Sequence, residues 1–248
     1  MEVSKFILGC ELNRICPNVI IAPCWSPDSV GIKKCELISD KTCKIWRCFV
    51  DGRCFTYIVM GVGAANCMDI VFALEKSSCR KLLFLGSAGA LKKIYNIGDF
   101  AVPKGVISAE GATRYIGNDL NEDMFGRIFY ATNEIQKKIH NVLKKIVDKY
   151  GVSVSENLGI SVESILLQYR HMEELLEMEC DFIDMEASAF LAAAHAVKMN
   201  AAVVFCISDN ICNAEPLYLV APEKTKFRKK IRKMVMPYVI REFVDGND

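Results

Sequence analysis

Five short, largely apolar runs, at residues 19–22, 55–60, 81–85, 100–102 and 201–207, constrain this chain more than any other feature. A strand with one face in water alternates apolar and polar residues, whereas a strand covered on both faces reads as continuous apolarity. Each run is also too short for a buried helix of ordinary length. Between them lie stretches of helical character, at residues 65–76, 134–149, 185–199 and 222–243. Doubly covered strands separated by helices predict an α/β sandwich, with helices on both faces of a parallel or mixed sheet. The pair Asp51-Gly52, between Val50 and Arg53, predicts a tight primed turn joining two strands. With no repeat, low-complexity tract or Pro/Gly/Ser linker, residues 1–248 read as one domain.

Charge and hydropathy narrow the partners. The chain carries 31 basic and 30 acidic side chains, a net charge of +1, so no global field favours nucleic acid or an anionic membrane. No apolar run approaches the ~20 residues needed to span a bilayer. The start, Met1-Glu2-Val3-Ser4-Lys5, lacks the basic head and apolar stretch of a signal peptide. A cytoplasmic protein with no nucleic-acid or membrane partner is therefore expected. Basic residues do cluster late, at Lys224, Lys226, Arg228, Lys229, Lys230, Arg232 and Lys233. They read as the solvated face of a helix, since no aromatic stacking platform accompanies them. The 12 cysteines show no C-x-x-C pair and no Cys/His spacing of a zinc site. Reduced structural thiols are expected, with no metal site.

Three segments carry groups suited to chemistry. Gly86-Ser87-Ala88-Gly89-Ala90 directly follows the run 81–85. Read as a turn, it can bring backbone N–H groups and the Ser87 hydroxyl close to an anion; on spacing alone it reads as a strand-to-loop turn with no ligand, since short Gly-rich turns are common. Asp184-Met185-Glu186 opens an Ala-rich helical stretch, and Ser208-Asp209-Asn210 follows the run 201–207. By themselves, Glu186 reads as a first-turn acid complementing the helix dipole and Asp209 as a helix N-cap. Gly61-Val62-Gly63 lacks the third glycine and the acidic partner of a dinucleotide fingerprint.

Taken in order, residues 60–66, residues 85–91, Ile97-Gly98-Asp99-Phe100, Asp184-Met185-Glu186 and Ser208-Asp209 resemble the motifs of the nucleoside phosphorylase and nucleosidase superfamily. The resemblance covers about residues 55–212, and Glu110-Gly111-Ala112-Thr113-Arg114-Tyr115 is similar to a segment of the uridine phosphorylase-like branch. It implies a three-layer α/β/α fold with a mixed, partly barrel-like central sheet, assembled as a dimer or hexamer. It further implies cleavage of a nucleoside, preferably a purine nucleoside, with phosphate as co-substrate and no cofactor. Glu186 would accept hydrogen bonds from the ribose hydroxyls, and Met185 would pack against the sugar. Ser87 and the backbone from Gly86 to Gly89 would face the phosphate or an attacking water. Asp209 would protonate, or hydrogen-bond to, N7 of the departing purine, and Leu166, Glu163 and Asn210 would border the base. Gln168 and Arg170 resemble, less closely, the pair with which uridine phosphorylases read uracil.

The chemistry suits these residue types. Breaking an N-glycosidic bond builds positive charge on the sugar and negative charge on the base. A carboxylate on the ribose hydroxyls favours the first, and an acid at the base neutralises the second. To donate at neutral pH, Asp209 needs a pKa raised by burial or a neighbouring acid. The pattern departs from the family at the phosphate end. The Gly-Asp-Pro-x-Arg segment is replaced by Pro23-Cys24-Trp25-Ser26-Pro27-Asp28, and Phe84 or its neighbours occupy the place of the arginine expected about three residues before Gly86-Ser87. Arg47 and Arg114 are candidates to supply that charge, including across a subunit interface. The nucleosidase glutamate after the first strand is missing as well. A hydrolytic nucleosidase of the methylthioadenosine/adenosylhomocysteine type and a non-catalytic nucleoside-binding homologue therefore stand as alternatives.

Overall fold

The computed structural model describes residues 2–117 and 119–245. In chain order the elements are α1 Glu2–Leu8, β1 Asn18–Ala22, β2 Cys35–Asp40, β3 Lys44–Val50, β4 Arg53–Val59, α2 Ala64–Ala73, β5 Lys81–Ala90, β6 Phe100–Ala101 and β7 Gly105–Ala109. They continue with β8 Ile128–Tyr130, α3 Asn133–Ile146, β9 Val154–Ser155, β10 Gly159–Val162, α4 Met172–Glu177, β11 Phe182–Asp184, α5 Ala187–Ala196, β12 Asn200–Asn210 and α6 Pro222–Asp245. The strands form one mixed sheet in the order β2-β3-β4-β1-β5-β11-β10-β7-β8, with β12 branching from β5 and carrying β6 and β9. The path runs from one edge strand to the other, so the sheet stays open.

Both faces of the central strands are apolar, which is why their sequences do not alternate. On β5, Leu82 and Phe84 enter one core layer with Phe190 of α5, while Leu83 and Leu85 enter the other with Val235 and Val239 of α6. On β12, Val203 and Phe205 point to the first layer, and Ala202 and Val204 to the second. Each fully buried side chain of this kind contributes about 1.5–3 kcal/mol relative to exposure. The result is helices on both sides of a mixed sheet. The hairpin turn is as expected, with positive φ at Asp51 (48°) and Gly52 (81°) between β3 and β4.

Two expectations are corrected. Gly86 to Ala90 do not form a turn after a strand; β5 continues through them, because β12 pairs alongside from Phe205↔Gly86 to Asn210↔Ala90. Glycine is required there for close packing: a Cβ on Gly86 would lie 2.6 Å from the buried ring of Phe84. Gly86→Ala is accordingly expected to cost about 1–3 kcal/mol through overpacking, measured as a lower midpoint in urea unfolding. The cysteines are not all reduced either. Cys35 and Cys48 stand directly opposite in the β2–β3 register and are joined in a disulfide, while the other cysteines are free.

Candidate active site

The carboxyl ends of β1, β5, β11 and β12 converge on a cleft of about 290 Å³, the usual location of a ligand in an open α/β sheet. Pro23, Cys24 and Trp25 follow β1 into it, Gly86 to Gly89 of β5 form its floor, and Arg228 of α6 closes one side. Glu186 and Asp209, 23 positions apart in sequence, both line it.

Asp184 organises the β11–α5 junction. Its Oδ1 accepts from Ser161 Oγ at 2.5 Å, and its Oδ2 accepts from the backbone N–H groups of Glu186 (2.9 Å) and Ala187 (2.8 Å). Asp184 thereby takes the N–H groups of Glu186 and Ala187 at the start of α5, Ser161 Oγ accepts the next, from Ser188 N–H, and Glu186 is held at the helix entrance. Glu186 is only 5% exposed, and its Oε1 accepts from Gly63 N–H at 2.8 Å. Gly63 has φ 121°, a conformation suited to glycine. Burial first, then the charge of Asp184, pushes the Glu186 carboxyl up towards neutrality, against the pull of the Gly63 N–H. Glu186 also lines the cleft, whose walls are mostly apolar.

Asp209 is placed by a bulge. The β12–β5 register slips between Ile207↔Ala88 and Asp209↔Gly89, so Ser208 is the extra residue and Asp209 is re-aimed out of the alternation. Ser208 Oγ donates to Asp209 Oδ1 at 2.5 Å. Burial raises the Asp209 pKa, while that hydrogen bond and the Arg228 guanidinium act to lower it. Opposite the carboxyl there is no room for a side chain: a Cβ on Gly89 would lie 2.9 Å from Asp209 Oδ2. Tyr169, which feels the Asp209 charge, also faces the cleft and makes an edge-to-face contact with Tyr218 at 6.2 Å.

Of the residues singled out from sequence, the structure brings together Asp209, Glu186, Met185, Gly86 and Ser87. Others lie elsewhere. Leu166 is 78% exposed and does not line the cleft; the 3₁₀ turn Leu167–His171 presents Gln168 and Tyr169 instead. Arg170 is exposed. Glu163 borders a neighbouring cavity, where its Oε2 accepts from Gly111 N–H at 2.9 Å. Asn210 is fully buried, its amide donating to the carbonyls of Lys92 and Tyr95 and its oxygen accepting from Cys212 N–H, so it ties loops together. Arg47 lies on β3 and donates to Arg14 O at 3.2 Å, and Arg114 is exposed on the 3₁₀ turn Ala112–Ile116. Neither enters the cleft of its own chain.

Sequence reasoning missed Arg228, the one cationic side chain among the described residues lining the cleft. Its Nε is buried without a hydrogen-bond partner among the described residues. The signal was present. Arg228 and Arg232 stand at i and i+4, in line with buried Ile231, Val235 and Val239, so one basic row follows the buried stripe of the helix. Arg232 lies over the Trp25 ring at 4.5 Å and donates to Ser29 O.

The model of the phosphorylase superfamily matches residues 33–239. No curated protein matches the chain. Among solved structures, it is similar to uridine phosphorylase from Vibrio fischeri ES114, with TM-score 0.75 and 18% identity over 95% of this chain and 94% of that one. It is also similar to purine nucleoside phosphorylase from Toxoplasma gondii in complex with immucillin-H, with TM-score 0.71 and 18% identity over 92% of each chain. The P. knowlesi homologue of P. falciparum PNP aligns with TM-score 0.69 and 16% identity, over 90% of this chain and 88% of that one. Likeness at these identities establishes a common fold.

Proposed function

This chain belongs to the phosphorylase superfamily, and we propose that it is a nucleoside phosphorylase, cleaving a nucleoside with phosphate into free base and ribose 1-phosphate. The observation that carries the reading is the meeting of Glu186 and Asp209 in one cleft, floored by Gly86 and Ser87. In the proposed reaction a phosphate oxygen bonds to C1′ as the C1′–N bond breaks. The bonding pair leaves with the base, and Asp209 delivers a proton to it. The Glu186 carboxylate accepts from the ribose hydroxyls and favours the positive charge that grows on the sugar. Met185 packs against the ribose.

Arg228 takes the phosphate in this reading, together with Ser87 and the nearby backbone. Phosphate at Arg228 would neutralise the charge that holds the Asp209 pKa down, and so favour the protonated acid that the base needs. Arg228→Met is expected to raise KM for phosphate about tenfold or more, the loss of one charge-assisted contact of roughly 1.5–3 kcal/mol. Steady-state rates against phosphate concentration measure it.

A purine substrate is preferred because an aspartic acid suits N7. Gln168 on the cleft wall supports a second reading, a pyrimidine nucleoside whose donor and acceptor edge meets the amide. Phosphate is a co-substrate, no cofactor is invoked, and the protein works in the cytoplasm as a dimer or hexamer. The deciding experiment incubates the protein with inosine, adenosine and uridine, with and without phosphate, and follows free base and ribose 1-phosphate. Base release that requires phosphate supports phosphorolysis. Release without phosphate indicates a nucleosidase, and saturable binding with no release indicates a binding homologue.

A further inference from the structure

The thiols divide by what they touch. Cys67, Cys79 and Cys206 are buried, and burial pushes each thiol up. Cys43 and Cys212 donate to the backbone carbonyls of Ile7 and Leu91. Cys16 and Cys54 touch each other. The two Sγ atoms lie 3.6 Å apart, between the segment entering β1 and the start of β4. Cys54 is exposed and Cys16 is buried. Arg47, opposite Thr56 in the β3–β4 register, brings its positive charge to Cys16. The Arg47 Nε is buried with no hydrogen-bond partner among the described residues. Burial raises the Cys16 thiol above its ordinary range, and the Arg47 charge acts against that, towards the nucleophilic thiolate.

We propose that Cys16 and Cys54 form a reversible disulfide, installed by a low-molecular-weight disulfide and removed by a low-molecular-weight thiol. The exposed Cys54 thiolate attacks one sulfur of the small disulfide, breaking its S–S bond and expelling one thiolate. The Cys16 thiolate then attacks Cys54 Sγ, closing the protein bond and expelling the second thiolate. The protein loses two electrons and two thiol protons; the small disulfide takes the electrons, and its two halves leave as thiols. The sulfurs must close from 3.6 Å to about 2.05 Å, and the hairpin side can supply this movement. Cys54 is two residues beyond Gly52, where an added Cβ would meet nothing within 4 Å. Cys16 is pinned, its N–H donating to Thr56 Oγ1 at 2.8 Å. The bond would sit at the amino ends of β1 and β4, away from the cleft at their carboxyl ends. It would close a loop with a sequence separation of 38 and stabilise the fold by restricting the unfolded chain.

The test treats the full chain with glutathione disulfide, blocks remaining thiols with iodoacetamide and maps peptides without reduction by mass spectrometry. The expected product is a Cys16–Cys54-linked peptide pair lighter by two hydrogens, lost on adding dithiothreitol and accompanied by a higher Tm. Cys16→Ser is expected to stop at the intermediate, adding the mass of one glutathione at Cys54. Cys54→Ser is expected to leave Cys16 free. The proposal is overturned if the unsubstituted chain itself stops at glutathionylated Cys54 with Cys16 still alkylated, if Cys16 links elsewhere, or if Cys54 does not react.

Discussion

Asp209→Asn is expected to lower kcat for nucleoside cleavage by about 10²–10⁴, the usual contribution of a positioned general acid, with a much smaller change in KM. Asparagine keeps the shape of the side chain and can still accept from Ser208 Oγ, which now donates to Asp209 Oδ1. What it cannot do is give up a proton. Burial raises the Asp209 pKa, which is the direction a donor at neutral pH requires. Because the group acts in its protonated form, its part of the pH profile falls as the pH climbs through its pKa. Initial rates of base release against substrate concentration, with the best nucleoside of the panel, make the measurement. An unchanged kcat in the Asp209→Asn protein would remove this residue from the mechanism.

The second large effect is at Glu186, where activity and stability are expected to move in opposite directions. Glu186→Gln is expected to lower kcat/KM by about 10²–10⁴, since two hydrogen bonds from the ribose hydroxyls to a charged acceptor, at roughly 1.5–3 kcal/mol each, would be weakened or lost. The empty protein is expected to become more stable at pH 8. Burial and the neighbouring Asp184 charge raise the Glu186 carboxyl from 4.5 to about 7 in the fold. A raised pKa means that the folded state holds the proton more tightly than the unfolded chain does. The neutral carboxyl is therefore no burden below the ordinary glutamate range, and stability is lost as the pH rises through about 7. Glutamine removes that burden and still accepts from Gly63 N–H. The gain at pH 8 is at most about 3–4 kcal/mol, at about 1.4 kcal/mol per pH unit over the displacement from 4.5 to about 7, and it vanishes towards pH 4. Thermal melts of both proteins at several pH values test it; a Gln variant less stable at pH 8 would contradict the origin given for the shift. Activity and stability pulling apart at one side chain is the expected mark of a site that holds strain for function.

Much of this site was legible because its two acids sit in compact, local patterns. Asp184-Met185-Glu186 at the mouth of an Ala-rich helix and Asp209 at the end of an apolar strand are features of neighbouring residues. The rest depended on partners distant in sequence. Leu166 and Tyr169 are both apolar enough to cover a base, but only the 3₁₀ turn Leu167–His171 decides which of them faces inward. Asn210, beside Asp209 in the chain, is consumed by carbonyls more than a hundred residues earlier. Arg228 was grouped with six other basic residues, and a charge count does not distinguish the one whose Nε is buried.

By itself the sequence determined five of the strands covered on both faces, where the Asp51-Gly52 hairpin turns, and that Asp209 stands at a strand end. These follow from local period and backbone preference, which a short window contains. Only the tertiary structure decided that Gly86 to Ala90 extend β5, because a strand needs a neighbour and that neighbour, β12, lies more than a hundred residues on. It alone also decided that a bulge at Ser208 turns Asp209 into the cleft and that Arg228 meets it there. Register and side-chain burial are properties of pairs of segments, and no single segment encodes them.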